Sequence, residues 1–149
     1  MKLDRKEVAN VVFKLYLYSD VCKMIHYSTK KIHEHKQADE IRDTIMDFAD
    51  KLAEQSFGFT GLPNFNDFSL KLSVKKTKDL SQLCQNVFSL ISNFEEKIKN
   101  NKYSGIISLI DDFKGKLSNL VYLNMFDKVS DKILNETINN SIKKILNEK

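Results

Sequence analysis

The chain has 149 residues, 42% of them hydrophobic and 30% charged, with a formal net charge of +4. That length suits one domain, expected over 1–149, and the composition excludes a disordered chain. No window reaches the roughly 18 uninterrupted apolar residues of a membrane span, MKLDRKEVANVV carries charges where a signal peptide would be apolar, and the mildly basic balance permits DNA contact without requiring it.

One proline and four glycines leave little to interrupt helical runs. A first helix is expected over 5–27, where Val8, Val11, Val12, Leu15, Cys22 and Ile25 recur at three- and four-residue steps. A second is expected over 32–57, with the stripe Ile41, Ile45, Phe48 and Leu52 and with Gly58 as its stop. The segment FGFTGLPNFNDFSLKLSV then reads as a long connection packed down by its phenylalanines, with a short helical turn. Thr77 or Asp79 would cap a third helix that carries Leu80, Leu83, Val87, Ile91, Phe94 and Ile98. NNKYSG breaks it, and a fourth helix carries Ile106, Ile107, Ile110, Phe113, Leu117, Leu120 and Val121. A last amphipathic stretch holds Val129, Ile133, Ile138, Ile142 and Ile145, with Asp127 as candidate cap. No segment alternates as a strand would, so the expectation is an all-α four-helix bundle with a long crossover between helices two and three and an additional C-terminal helix. Cys22 and Cys84 lack CxxC spacing and read as buried thiols on helix faces.

The stretch HYSTKKIHEHKQADEIRDTIMDFADKLAEQ holds all three histidines, His26, His33 and His35, followed by Asp39, Asp43, Asp47, Asp50 and Glu54. On a helical wheel with His35 at zero, Asp39 falls at about 40°, Asp50 at about 60° and Glu54 at about 100°. The apolar stripe lies roughly 150° away, so these four candidate ligands share one outward face. The Glu-x-x-His element of inward-facing di-iron bundles is missing from the sequence. The His35/Asp39 pair and the Asp50/Glu54 pair are centred about 22 Å apart along the axis, too far for one ion. Two copies of this helix, antiparallel about a two-fold near 43–45, would superpose His35 and Asp39 of one copy on Asp50 and Glu54 of the other, twice over. Met46 and Ala53, on the same face, leave room for a partner. Imidazole with carboxylate and without thiolate is a donor set for non-haem iron. The alternative is a solvated acidic face with loop histidines. His33, at about 160°, reads as a surface residue, and Asp43 and Asp47, at about 80° and 120°, as supporting or solvated.

The run H-x3-D-x10-D-x3-E formed by His35, Asp39, Asp50 and Glu54 resembles the ferroxidase motif of the Dps family, the miniferritins of the ferritin-like superfamily. ADKLAEQ resembles that family's stretch around the last two ligands, and His26–Tyr27 resembles its first histidine with a neighbouring aromatic. The resemblance implies an iron site shared across a two-fold, with His26 joining His35 and Asp39 and with Asp50 and Glu54 from the partner chain. Zinc would substitute for iron in crystals. It further implies a homo-oligomer that oxidises Fe(II), stores iron and protects against oxidative damage, and it leaves a dodecamer open. Nine positions separate His26 from His35, fewer than typical members have, and this shorter form resembles Dps-like proteins of tailed phages and other large DNA viruses. The expected location is therefore cytoplasmic, in a host cell or virion where the chain is virus-encoded. The helical pattern starts within the first few residues, so the Lys-rich DNA-binding arm of the family is not expected. The rival expectation is a ferritin-like structural or virion protein whose metal site is vestigial or staples a dimer.

Overall fold

The computed structural model describes residues 2–69, 71 and 73–147, with side chains at all of these except 101 and 124–135. Four α-helices account for most of the described residues: α1 Arg5–Ser28, α2 Ile32–Thr60, α3 Leu80–Lys97 and α4 Ser104–Asn147. No strand occurs among the described residues.

Helices α1, α3 and α4 start where a polar side chain or tight turn satisfies free backbone amides, whereas Lys31 at the start of α2 makes no side-chain capping bond. The Asp4 carboxylate accepts from the Lys6 amide to open α1, and Asp79 accepts from the Gln82 amide at 2.8 Å to open α3. A 3₁₀ turn at Asn101–Tyr103 leads into α4. The apolar stripes read from the sequence are the buried faces. Val8, Leu15, Ile41, Ile45, Leu83, Ile91, Ile106 and Ile110 are all fully enclosed in a core that draws on all four helices.

Two boundaries differ from expectation. Helix α2 runs through Gly58 and stops at Gly61, whose φ of 88° and ψ of 165° fall where only glycine is comfortable. Gly58 makes no such demand, and one interior glycine costs only about 1 kcal/mol. Gly61→Ala should therefore destabilise the protein by about 1–3 kcal/mol in urea unfolding, whereas Gly58→Ala should stabilise it slightly. The additional C-terminal helical segment is present, but it joins α4 without a break at Asp127 to give one helix of 44 residues. The Asp127, Val129 and Ile133 side chains lie outside the described set. Every side chain from 136 to 147 is exposed.

The helix order around the bundle is α1, α2, α4, α3, with α1 packed most extensively on α2. Contacts fix the directions. Lys23 meets Asp39 and His26 meets His35, so α1 and α2 are antiparallel. Phe48 stacks on Phe113 while Gln37 reaches Leu120, so α2 and α4 are antiparallel, and the short link from α3 to α4 reverses the chain again. Helices α2 and α3 are thus parallel and diagonal, and residues 61–79 must travel the length of the bundle. That length of extended chain reaches up to about 60 Å, ample for the roughly 43 Å of α2. An all-α bundle with this crossover is compatible with the ferritin-like superfamily.

The aromatics hold this segment only in part: Phe57 packs against the core and Phe68 is half-buried. Phe65 and Leu62 are 80% and 83% exposed. A polar anchor replaces them: the buried Asp67 carboxylate pairs with Arg5 Nε at 2.8 Å and accepts from the Asn64 amide, closing a 3₁₀ turn at Phe65–Asp67. Further on, the Lys75 amide donates to the Tyr18 hydroxyl.

Candidate metal centre

The connection between α1 and α2 is only residues 29–31, so the last turn of α1 lies against the first turns of α2. This brings His26, His35 and Asp39 together. The two imidazoles stack with centroids 3.7 Å apart and planes at 23°. Each Nδ1 contacts the other residue's backbone carbonyl, His26 Nδ1 to His35 O at 2.7 Å and His35 Nδ1 to His26 O at 2.6 Å. A carbonyl can only accept, so both Nδ1 atoms carry hydrogen. When neutral, each ring therefore keeps its lone pair on Nε2, the tautomer a metal ligand needs. The same bonds have a structural effect: the His26 carbonyl belongs to the last turn of α1, where helical partners run out, and His35 satisfies it.

Asp39 is held from both sides. Its Oδ1 accepts from Lys23 Nζ at 3.1 Å, and its Oδ2 lies 3.4 Å from His26 Nδ1. The hydrogen bond from Lys23 lowers the Asp39 carboxyl below its ordinary value, with smaller help from the charges of His26, Lys23 and His35. Lys23 Nζ also lies 5.3 Å from the centroid of the Tyr27 ring, which meets His26 edge-on.

Asp50 and Glu54 are exposed and lie further along α2, Asp50 about 16 Å beyond Asp39 by helical rise. Asp50 faces Tyr16 of α1, whose hydroxyl pKa is raised by burial and then by that carboxylate. The chain thus brings three candidate ligands together and keeps two apart, as a continuous helix must. Among the described residues, no group of three or more His, Cys, Asp or Glu is disposed to hold a metal ion within one chain. His33 is exposed, and Asp47 pairs with Lys51 at 2.9 Å on the side of α2 that faces α4, where Asp43 also lies. Cys22 and Cys84 are free and buried. Burial raises both thiols, Cys84 to about 12, which leaves them unreactive as ligands or nucleophiles.

Lys23 was not singled out in the sequence, although a signal exists. It precedes His26 by three positions and so shares its helical face. In an antiparallel hairpin with a short turn, each step back along α1 meets a step forward along α2. With His26 against His35, one turn back along α1 and one turn forward along α2 bring Lys23 to Asp39.

Among the described residues no helix is long and apolar enough to cross a membrane. No protein-family model, curated protein or solved structure matches the chain.

Proposed function

We propose that two copies of this chain pair antiparallel through α2 and oxidise Fe(II) at two equivalent sites. Each site takes His26, His35 and Asp39 from one copy and Asp50 and Glu54 from the other. The observation that carries this reading is the unbroken α2 from Ile32 to Thr60, which keeps His35, Asp39, Asp50 and Glu54 on its outward side. Two half-sites about 22 Å apart on one rigid rod become two whole sites when the rod is paired with its own inverted copy.

The donors suit the chemistry. Imidazole nitrogen binds Fe(II), and carboxylates favour the harder Fe(III) product as each ion gives one electron to dioxygen or peroxide. Zinc accepts the same donors without redox change and should act as an inhibitor. The free thiols fit a reducing compartment such as a cytoplasm. Ferric mineral would accumulate if the assembly closes into a cage such as a dodecamer. Aerobic addition of Fe(II) to metal-free protein tests the reading through ferric absorbance. Asp50→Ala with Glu54→Ala should slow oxidation at least about 100-fold, since even residues that only support a metal's ligands typically cost 10–100-fold. A rate equal to wild type ends it.

A second reading draws on the ion pair between Lys23 and Asp39 and on the capping of α1 by His35. Both leave the hairpin satisfied without metal, as a ferritin-like structural or virion protein with a vestigial site would be. Such a protein would show no Fe(II) oxidation above buffer and would copurify with particles.

A further inference from the structure

We infer that the cleft between the start of α1, the end of α2 and the start of α4 binds a free nucleotide, with the phosphate on Lys2, Arg5 and Lys102 and the base on Phe59. It lies at the other end of α1 from His26, about 31 Å away by helical rise, and is independent of the metal-binding reading.

The first residues of the chain build one wall. Leu3 is buried, and its amide donates to the Tyr103 hydroxyl at 3.0 Å, which ties residues 2–4 to the 3₁₀ turn ahead of α4. Phe59 and Thr60, in the last turn of α2, form the facing wall. The space between measures about 380 Å³, within the roughly 300–1,000 Å³ of small-molecule clefts.

Its charge is unbalanced. Three cationic side chains line it against one carboxylate, that of Asp4, which already accepts from the Lys6 amide. Arg5 directs its Nε to Asp67, which leaves its terminal nitrogens for another acceptor, and among the described residues Lys2 and Lys102 have no carboxylate partner. By contrast Lys51, Lys97, Lys99 and Lys116, which line the other grooves of the bundle, are each paired with an Asp or Glu. A buried hydroxyl points the same way. Tyr103 is 3% exposed and its oxygen accepts from Leu3, but among the described residues its own hydrogen has no acceptor. An oxygen of a bound anion would supply one.

The aromatic wall narrows the class of anion. Phe59 meets Tyr103 edge-on at 5.2 Å and stays 51% exposed, so Tyr103 steadies the ring without covering it. A steadied, half-open ring beside cations is a platform for base stacking. Inorganic phosphate would use the cations and leave Phe59 idle, whereas a nucleotide engages both.

Equilibrium dialysis of full-length protein against AMP, adenosine and inorganic phosphate tests this. AMP should bind about tenfold more tightly than either part alone. Lys2→Gln with Lys102→Gln should weaken AMP about tenfold or more, since charge-assisted bonds to phosphate are lost. Lys51→Gln with Lys116→Gln removes the same charge elsewhere and should leave binding unchanged. Phe59→Ala should weaken AMP several-fold without altering phosphate binding, and Phe59→Leu serves if Phe59→Ala does not fold by circular dichroism. Phe59→Tyr should bind as wild type. No binding of AMP at about 5 mM overturns the inference, as does equal affinity for AMP and phosphate or indifference to the cleft variants. Strong preference for a 5′-phosphorylated oligonucleotide over AMP overturns it as well, because the ligand would then be a strand end.

Discussion

Mixing two inactive variants should restore about a quarter of the wild-type Fe(II) oxidation rate. One variant carries His35→Ala and Asp39→Ala, the other Asp50→Ala and Glu54→Ala. In a homodimer of either, both sites lack one half of their ligands. In a mixed dimer, one site receives both damaged halves and the other receives none. Random pairing makes half of the dimers mixed, and each has one intact site of two, which gives about one quarter. The figure is independent of how many dimers a larger assembly contains, provided each two-fold forms at random. Refolding the variants together and following ferric absorbance measures it, with each variant alone as the baseline. Sites confined to one chain would give no recovery, because each variant lacks ligands in every copy. The experiment thus separates a shared site from any arrangement in which α2 serves its own chain, and a recovery near one quarter would also establish that the paired helices are antiparallel.

The largest stability effect should come from Phe48→Ala. Phe48 and Phe113 are 3% and 2% exposed and stack with centroids 3.9 Å apart and planes at 6°. They join α2 to α4 on the side of α2 opposite the candidate ligands. Truncation removes the ring and leaves a cavity bounded by a stiff helix on each side, at a cost of about 3–5 kcal/mol. Against a total of about 5–15 kcal/mol, that is a large share. The midpoint of urea unfolding should fall accordingly, with the slope unchanged. Phe48→Leu, which keeps most of the volume, should cost clearly less. Because the outward face of α2 is untouched, any metal bound by the folded fraction should bind with near wild-type affinity.

Much of the bundle was legible because burial repeats at the helical period. Ile41, Ile45, Phe48 and Leu52 can share a face in only one secondary structure, and all four are buried on it. Asp79 was legible as a cap for the same local reason. What escaped depended on distant partners or on small differences. Gly58 reads as a stop by composition, but the helix continues through it to the glycine with positive φ three positions on. The C-terminal segment expected as an additional helix is helical and continues α4 without a break, since a capping residue type inside a helix costs only a few tenths of a kcal/mol and need not interrupt it. The Arg5–Asp67 pair that fastens the crossover joins positions far apart in the chain, and nothing local distinguishes Asp67 from other acidic residues. At the candidate site, the residue types and the shared face came from the sequence. The tautomers of His26 and His35 and the hold of Lys23 on Asp39 needed the hairpin's register.

The short turn between α1 and α2 also bears on the order of events during synthesis. All five candidate ligands lie within the first 54 residues, on two helices joined by three residues. Such a hairpin closes through contacts near in sequence, the kind that form early, while the crossover and α4 depend on contacts far apart. As the chain emerges from the ribosome, the face proposed to pair with a second copy is complete before the residues that bury the opposite side of α2 have been made. Neighbouring nascent chains on one message would then meet through the very surface that builds the site, and the rest of each bundle would fold onto a pair already formed.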